Sequence, residues 1–393
     1  MKKILSSLAL VLLSVATGAQ QFYQDATNSE MTHPAGHRAN QRKEIIIPQI
    51  NGYNVYKADL HTHTIYSDGQ VLPKYRVMEA WMDGLDIMAV TEHIEYRPVE
   101  GDMAAYLENY TDKKHEKEIA GFKEGKRPAK DGRMVDLNTS VKVSQSLAKG
   151  YGITIIPGLE ITRDQYKVGH FNALFTTDNN KIYDEDPYKA ILNAKAQGAL
   201  VQHNHPGWKR KEIGHNEFQE KVYGDGLVDG VEVVNGHEIY PGVVDWCSEK
   251  GLYITANTDI HATTSGTYRA YGEDRPITLI LAKDKSLKSV REALEARRTL
   301  AYAYGNVWGA EQLLKDMFLS SIKIERVSGR NYLFTNISSV PYVVAVSGKN
   351  PVHLDPFTSV FFSVEKDNKA ITLEVRNMWS GAVTHPTVEI SVK

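Results

Sequence analysis

The chain has 393 residues, with 46 Lys and Arg against 48 Asp and Glu, a formal net charge of −2 and a single cysteine. This charge balance does not indicate nucleic acid or a membrane surface as a partner, and one cysteine excludes an internal disulfide framework. The length suffices for one large α/β domain and a smaller second domain.

The N-terminal segment has the pattern of a secretory signal peptide. Two lysines precede an apolar run over residues 4–15, and small residues follow it. We therefore predict that residues 1–20 are a signal peptide and that residues 21–49 form an extended polar arm. The mature chain is expected to be exported, either to the periplasm or into the medium. The apolar run is too short to span a bilayer, and we predict no membrane span.

Strand-like and helix-like patterns alternate over residues 50–310. Strands are predicted at 56–61, 86–91, 153–156, 170–175, 199–202, 228–234, 253–256 and 277–281. Helices are predicted at 73–83, 135–149, 186–197, 243–250 and 287–298. This alternation predicts an α/β fold in which a parallel sheet is covered by helices. With about seven strand-plus-connection repeats, a barrel is favoured over an open sheet.

Two stretches depart from this alternation. Residues 96–133 are rich in Lys and Glu without a clear apolar face, and we predict an insertion over one mouth of the domain. From about residue 320 the sequence changes to short runs of Val, Ile, Phe, Tyr and Thr between turn-forming residues. This pattern predicts a small antiparallel β-sandwich over residues 320–393. Because it contains no cluster of histidines and acids, we interpret it as a packing module rather than a substrate-binding one.

Histidines and acids collect where the predicted strands end. In a parallel α/β domain, functional residues lie at the carboxyl ends of the strands. The residues found at such positions are His61, His63, Asp68, His93, Glu160, His170, His203, His205, Asp259 and His261. Imidazole nitrogen and carboxylate oxygen are ligands for Zn, Mn or Fe, and the absence of thiolates argues against a closed structural zinc site. This number of groups exceeds the needs of one ion, so two or three divalent ions are predicted, with Glu160 able to bridge two of them.

Each short motif is weak alone, since an H-x-H pair can be a surface pair and an H-P-G can be a turn. Their order carries more information. The series H-T-H-T with S-D-G, T-E-H, G-L-E, G-H-F, N-H-P-G and T-D-I-H resembles the PHP superfamily, named for polymerase and histidinol phosphatase members, over residues 50–305. The resemblance implies a distorted (β/α)7 barrel with two or three divalent ions at its mouth and hydrolysis of phosphate esters.

The resemblance also implies three sets of metal ligands. They are His61, His63, Glu160 and Asp259 for a first ion, Glu160, His170 and His205 for a second, and Asp68, His93 and His261 for a third. Two positions depart from the family pattern: Glu92 stands where the family usually has Asp, and His203 is a second histidine beside His205. We expect His203 to be either an orienting group or proton donor, or a purely structural residue.

Within the superfamily, the chain is most similar to exported bacterial PHP phosphodiesterases of the type named after a Sphingobium enzyme. The features that carry this narrower resemblance are the signal peptide, the N-terminal arm, Trp208 directly after the H-P-G motif, and the C-terminal β module.

The resulting hypothesis is metal-dependent hydrolysis of a small phosphodiester by a hydroxide that bridges two ions and attacks phosphorus. Arg163 and Arg269 are candidate phosphate-binding groups, although each could instead form a surface salt bridge. One alternative is a phosphomonoesterase of the histidinol-phosphatase type. An alternative of another class is an exported glycan-binding or ligand-binding protein with an inactive barrel.

Overall fold

The computed structural model describes residues 22–24, 27–34, 41–97, 136–346, 350–363 and 370–391. The predicted signal peptide and most of the predicted insertion at 96–133 lie outside the described residues. The chain divides into two units, Met1–Arg42 and Lys43–Lys393. In the first unit, β1 (Phe22–Gln24) and β2 (Thr32–Pro34) pair as an antiparallel hairpin.

The second unit contains a large curled sheet, helices around it and two smaller antiparallel sheets. Its strands are β3 (Asn54–Asp59), β4 (Ile87–Val90), β5 (Thr154–Thr162), β6 (His170–Leu174), β7 (Leu200–His203), β8 (Gly230–Asn235), β9 (Glu238–Ile239), β10 (Tyr253–Asn257), β11 (Ile277–Ala282), β12 (Thr299–Ala303), β13 (Asn306–Trp308), β14 (Ile322–Ser328), β15 (Asn331–Asn336), β16 (Tyr342–Val346), β17 (Val352–Leu354), β18 (Ser359–Ser363), β19 (Ala370–Val375), β20 (Met378–Trp379) and β21 (Thr387–Ser391). Its helices are α1 (Pro73–Met82), α2 (Thr139–Ala148), α3 (Pro187–Ala196), α4 (Glu217–Gly224), α5 (Val243–Lys250), α6 (Thr264–Thr267), α7 (Leu287–Glu295) and α8 (Glu311–Ser321). Among the described residues, no helix is long and apolar enough to cross a membrane.

The predicted strands and helices of the barrel are all present, with shifted ends. The largest shift is in β5, which continues to Thr162, so that Glu160 lies inside the strand rather than in a loop after it. Helix α4 was not predicted, although its capping box between Asn216 and Gln219 is visible in the sequence. Strands β12 and β13 and helix α8 were also missed.

The large sheet has the strand order β10-β8-β7-β6-β5-β4-β3-β11-β12-β13-β20. The predicted α/β barrel fold is confirmed, but the sheet is not parallel throughout, because β6 is antiparallel to β5 and β7, and β11 is antiparallel to β3 and β12. Parallel neighbours need a crossover of about a dozen residues or more, and the loop over residues 163–169 is too short for one. The reversal pairs His170, the first residue of β6, with Thr162 at the end of β5. His170 therefore lies at the rim formed by the carboxyl ends of the parallel strands.

The sheet curls until β10, at one end, lies beside β11 and β12, and threonine hydroxyls bridge β10 to these two strands. The backbone N–H of Ala256 donates to Thr278 Oγ1 at 3.0 Å, and that of Ile254 donates to Thr299 Oγ1 at 3.2 Å. Buried backbone N–H groups need a partner, and here side chains take the place of a strand ladder. The barrel is therefore distorted at this seam, as the predicted fold implied.

The C-terminal residues form two antiparallel sheets, β14-β15-β18 and β17-β16-β19-β21. Their buried side chains, including Phe334 and Leu373, belong to the same apolar cluster as Leu279 and Leu300 of the barrel. Strand β20 returns to the large sheet and pairs in parallel with β13. The small β domain thus shares a core and a sheet edge with the barrel.

Candidate metal centre

The nine predicted metal ligands lie together at one rim of the barrel. They form three groups, and within each group the potential ligand atoms lie within 4.8 Å of one another. The groups are His61, His63 and Asp259; Glu160, His170 and His205; and His63, Asp68, His93 and His261. The grouping agrees with the sets implied by the family resemblance, with two differences: Glu160 groups only with His170 and His205, and His63 also approaches the third group. Metal binding by these residues stays a prediction.

Glu160 lies at the centre of the three groups and is fully buried. Its carboxylate oxygens lie 2.5 to 3.7 Å from one nitrogen of each of five imidazoles. These imidazoles belong to His61, His63, His93, His170 and His205. One carboxylate with two oxygens can therefore contact more than one group, as a bridging ligand would.

The first group converges on one oxygen of Asp259. Asp259 Oδ1 lies 3.2 Å from His61 Nε2 and 3.0 Å from His63 Nε2. Among the described residues, these three buried atoms have no hydrogen-bond partner of acceptable geometry. Two donor atoms that each lie about 2.1 Å from one ion are themselves separated by roughly 3.0 to 3.5 Å. Because unpaired buried polar atoms are costly, the arrangement fits a cation between them.

The other two groups show the same pattern. Asp68 Oδ1 lies 3.0 Å from His261 Nε2 and 3.3 Å from His93 Nε2, yet it makes no hydrogen bond to the described residues. In the second group, His170 Nδ1 is buried and lies 3.3 Å from Glu160 Oε1, again without hydrogen-bond geometry. Each of these groups therefore contains a buried ligand atom that lacks a partner among the described residues, which fits a cation there.

The central carboxylates are ionised at neutral pH. Burial alone would raise the pKa of Glu160, but the imidazoles of His93 and His61 and their neighbours hold this pKa well below its usual range. Burial is likewise outweighed at Asp259, whose pKa His61 and His63 hold far below normal. Both side chains thus present charged oxygens, the hard ligands that divalent ions prefer.

The histidines differ in protonation in the metal-free protein. Burial, together with the neighbouring His261 and His93, lowers the pKa of His63 to about 3, so its ring is neutral and keeps a lone pair. Burial would also lower the pKa of His93, but Glu160 and Asp68 raise it to about 10. His93 therefore holds a proton that a divalent ion would displace, because ligands must be deprotonated to bind metal.

Glu232 of β8 is a functional candidate that the sequence reasoning missed. Its Oε1 accepts a hydrogen bond from His61 Nδ1 at 2.9 Å and from Asn257 Nδ2 at 3.0 Å. Its Oε2 accepts from the backbone N–H of His205 at 2.7 Å and from Asn235 Nδ2 at 2.8 Å. A carboxylate behind a histidine fixes the ring and its tautomer, which directs Nε2 into the centre. The signal available in the sequence was one acid within the apolar run G-V-E-V-V-N, and the structure shows that acid to be fully buried.

Glu92, which departs from the family pattern, supports the loop that carries Asp68. Its carboxylate accepts hydrogen bonds from the backbone N–H and hydroxyl of Thr64 and from the hydroxyl of Ser67. The longer side chain therefore reaches the loop over residues 64–68 and restrains it.

Arg76 of α1 joins the two loops that carry most of the ligands. It is fully buried, and its Nε donates to the carbonyl of His63 at 3.0 Å. Its Nη2 donates to the three carbonyls of residues 260–262 at 2.9 to 3.2 Å, and its Nη1 pairs with Glu79 Oε2 at 2.9 Å. Burial lowers the pKa of Arg76 to about 10, so the guanidinium remains charged at neutral pH. One side chain thus fixes the H-x-H loop relative to the D-x-H loop.

The His203 side chain does not lie among the predicted metal ligands. Its ring stacks on Phe171 at 4.9 Å between centroids, and its Nδ1 lies 2.9 Å from the Tyr223 hydroxyl. Its Nε2 lies 3.3 Å from Gln219 Nε2. Burial lowers the pKa of His203 well below its usual value, so the ring is neutral. These contacts fit the structural alternative, and they do not support a proton donor.

The two candidate arginines have different positions. Arg163 lines the cleft, but its Nη1 pairs with Glu95 at 2.7 Å and its Nη2 donates to the carbonyl of Asp184 at 2.5 Å. Arg269 forms an ion pair with Asp83 and lines a separate depression. Of the two, the structure therefore brings only Arg163 to the cleft beside the ligand groups.

The cleft over the three groups has a volume of about 690 Å³. Six of the predicted ligands line it, together with residues from the 162–166 and 208–209 segments and Tyr96. The lining residues outside the ligand groups are Tyr96, Thr162, Arg163, Asp164, Gln165, Tyr166, Trp208 and Lys209. A small molecule can therefore reach the predicted ligands from solvent.

No family model matches the sequence, and no curated protein matches it. Among solved structures, the chain is similar to a two-domain protein from Bacteroides vulgatus containing a predicted PHP-like metal-dependent phosphoesterase. The two are 32% identical with a TM-score of 0.77, and the match covers 90% of this chain and 100% of that one. A putative metal-dependent phosphoesterase from Bifidobacterium adolescentis is more distant, at 14% identity, a TM-score of 0.39 and coverage of 60% and 95%. The lesion-specific endonuclease Q from Pyrococcus furiosus is similarly distant, at 16% identity, a TM-score of 0.38 and coverage of 65% and 59%.

Proposed function

The chain belongs to the family of PHP-like metal-dependent phosphoesterases, and on that premise we propose that it hydrolyses small phosphodiesters at the rim of its barrel. The observation that carries the proposal is the convergence of nine imidazole and carboxylate side chains at one open cleft, with buried ligand atoms that lack partners among the described residues. An unmetallated cluster of this kind would be costly to bury, whereas a metal-binding cluster would not.

Three metal positions are assigned to these side chains. The first ion would be held by His61, His63, Glu160 and Asp259, the second by Glu160, His170 and His205, and the third by Asp68, His93 and His261. Bound divalent ions supply Lewis acidity toward the phosphoryl oxygens and lower the pKa of a water molecule that can serve as the nucleophile. The nitrogen and oxygen donors fit Zn, Mn or Fe.

Residues behind the ligands keep them in place. Glu232 orients the His61 ring, Glu92 restrains the loop with Asp68, and Arg76 holds two ligand loops at a fixed separation. Phosphoryl transfer depends on positioning and charge stabilisation more than on covalent chemistry. The work of this scaffold is therefore to hold charged groups at fixed positions around the phosphate.

A diester is favoured over a monoester by the charges in the cleft. Among the described residues, Arg163 and Lys209 are the basic side chains that line it, and Arg163 is already paired with Glu95. A monoester dianion would benefit from further cations, whereas a diester carries one negative charge and two organic groups.

Removal of metal is expected to abolish hydrolysis of bis(4-nitrophenyl) phosphate, because the water molecule that serves as nucleophile depends on the ions to lower its pKa. Activity should return on addition of Mn²⁺ or Zn²⁺. The measurement is the rate of 4-nitrophenol release before and after chelation, with 4-nitrophenyl phosphate as the matched monoester.

Hydrolysis that survives chelation would contradict the proposal, and faster hydrolysis of the monoester would favour the histidinol-phosphatase alternative. A metal-loaded protein that cleaves neither ester would favour the ligand-binding alternative.

Replacement of Glu232 by glutamine is expected to weaken metal binding by about 10- to 100-fold, the usual effect of losing a carboxylate behind a metal-binding histidine. The amide keeps the shape of the side chain but removes its charge. Its NH₂ group is a donor and would face another donor, either His61 Nδ1 or the N–H of His205, so that one of these hydrogen bonds is lost. Metal affinity can be measured by competition with a chromogenic chelator. The exposed Glu212→Gln variant is the matched control. Unchanged affinity in Glu232→Gln would show that His61 needs no support from β8.

Export and the narrower subfamily also belong to the proposal. The signal-peptide pattern of residues 1–20 supports action outside the cytoplasm, and Trp208 with the C-terminal β domain supports similarity to the Sphingobium-type phosphodiesterases. Cell fractionation of the full chain, followed by N-terminal sequencing of the mature protein, tests export directly.

A further inference from the structure

Three aromatic side chains line the cleft beside the predicted metal positions. They are Tyr96, Tyr166 and Trp208, and we call them the aromatic wall. Tyr96 is 51% exposed and Tyr166 is 61% exposed. Ligand sites commonly combine aromatic side chains with a few placed polar groups, and this cleft has both.

Two members of the aromatic wall contact predicted metal ligands. The Trp208 ring centroid lies 5.6 Å from that of His170 and 5.3 Å from that of His205. The Tyr96 ring lies edge-on to His93, with 5.9 Å between centroids. The wall therefore flanks the second and third groups, so the organic substituents of a phosphate held there would lie beside aromatic rings.

Tyr166 is held in place by its polar groups while its ring stays exposed. Its hydroxyl donates to the carbonyl of Lys209 at 2.9 Å, and its N–H donates to Asp164 Oδ1 at 3.0 Å. Asn216 Nδ2 donates to the carbonyl of Tyr166 at 3.1 Å. The bonds to Lys209 and from Asn216 join the loop over residues 163–169 to the loop over residues 204–216. A ring fixed in this way loses little conformational freedom when a ligand stacks on it.

We propose that the aromatic wall recognises a planar ring, an aryl group or a nucleobase, carried by the phosphodiester substrate. The inference rests on the proposed phosphodiesterase function and specifies its substrate class. Stacking of a base on an aromatic side chain contributes about 1 to 3 kcal/mol, and it requires a flat π-face rather than apolar bulk alone. A diester places one organic group on each side of phosphorus, and rings lie beside both the second and the third group.

The test is binding of two probes that cannot be hydrolysed, methyl(phenyl)phosphinate and cyclohexyl(methyl)phosphinate. Both carry one negative charge, as a diester does, and they differ in one six-membered ring, which is aromatic and planar in the first and saturated and puckered in the second. On the zinc-loaded full chain, isothermal titration calorimetry should show the phenyl probe binding about tenfold more tightly. Tyr166→Ala should reduce that preference about fivefold or more, whereas Tyr166→Phe, which keeps the ring, should retain it. Tyr271→Ala is the matched control, since Tyr271 is 75% exposed and does not line the cleft.

Equal affinity of the wild-type chain for the two probes would overturn the inference. It would also be overturned if Tyr166→Ala weakened the binding of both probes by the same factor, because that result would indicate a general effect on the loops. If the chain hydrolysed diesters but showed no ring preference, the proposed function would stand, and only the role of the aromatic wall in recognising a ring would be rejected. A ring preference in a protein that hydrolyses neither diesters nor monoesters would reject the proposed function and leave a ring-binding cleft.

Discussion

Glu160→Gln is expected to lower kcat/KM for diester hydrolysis by on the order of 10³-fold, the loss of several kcal/mol of charge stabilisation. Its two oxygens contact five imidazoles and are the link between the proposed first and second metal positions. Glutamine preserves the volume of the side chain but removes the negative charge and replaces one acceptor by a donor. Metal content of the purified variant, measured by mass spectrometry, should fall by at least one ion per chain.

The control for Glu160→Gln is again the exposed Glu212→Gln variant, which should keep both activity and metal. Circular dichroism separates loss of metal from loss of fold. If Glu160→Gln kept its full metal content and lost only activity, Glu160 would act on the substrate rather than on the ions. If Glu160→Gln kept both its metal content and its activity, the proposed position of the metal centre would be wrong.

The ligand groups could be predicted because short sequence spacing encodes part of their geometry. His61 and His63 follow one strand, and Asp259 and His261 follow another, so each pair is visible in the sequence. His170 was found by its motif, although the reason for its position was not. It begins its strand rather than ending one, and it reaches the rim because β6 runs antiparallel to β5.

His203 shows where strand periodicity fails. Residues two apart in a strand face the same side, so a strand that continued through residue 205 would place His203 and His205 together. Strand β7 ends at His203, and His205 has a φ of 28°, in the left-handed region. The chain therefore turns between them. His203 stays on the outer face with Phe171, while His205 enters the centre.

Supporting residues were missed because their partners are distant in sequence. Arg76 lies in an amphipathic helix, where an arginine is usually a solvated residue, and nothing nearby predicts that the carbonyls of residues 260–262 approach it. Glu232 was visible only as an acid in an apolar strand. Arg163 and Arg269 could not be distinguished from the sequence, because the positions of Glu95 and Asp83 decide whether their charges face the cleft.

Arg76→Met is expected to lower the free energy of unfolding by about 3 to 5 kcal/mol, the usual effect of removing one partner of a buried ion pair. Methionine fills much of the same volume, so the effect comes from Glu79 and the carbonyls of residues 260–262, which lose their donor. Denaturant unfolding of the metal-free chain measures this change without any contribution from bound ions. Lys74→Met, at an exposed position on the same helix, should change stability by less than about 0.5 kcal/mol.

A second variant separates the ion pair from the carbonyl contacts of Arg76. In Arg76→Met with Glu79→Leu, the unpaired carboxylate is gone, so part of the lost stability should return. The D-x-H loop would still lack its donor, and metal occupancy should therefore remain below wild type at the third position, formed by Asp68, His93 and His261. Full recovery of both stability and metal content would show that Arg76 serves only to neutralise Glu79. Recovery of stability alone would show that its guanidinium sets the distance between the two ligand loops.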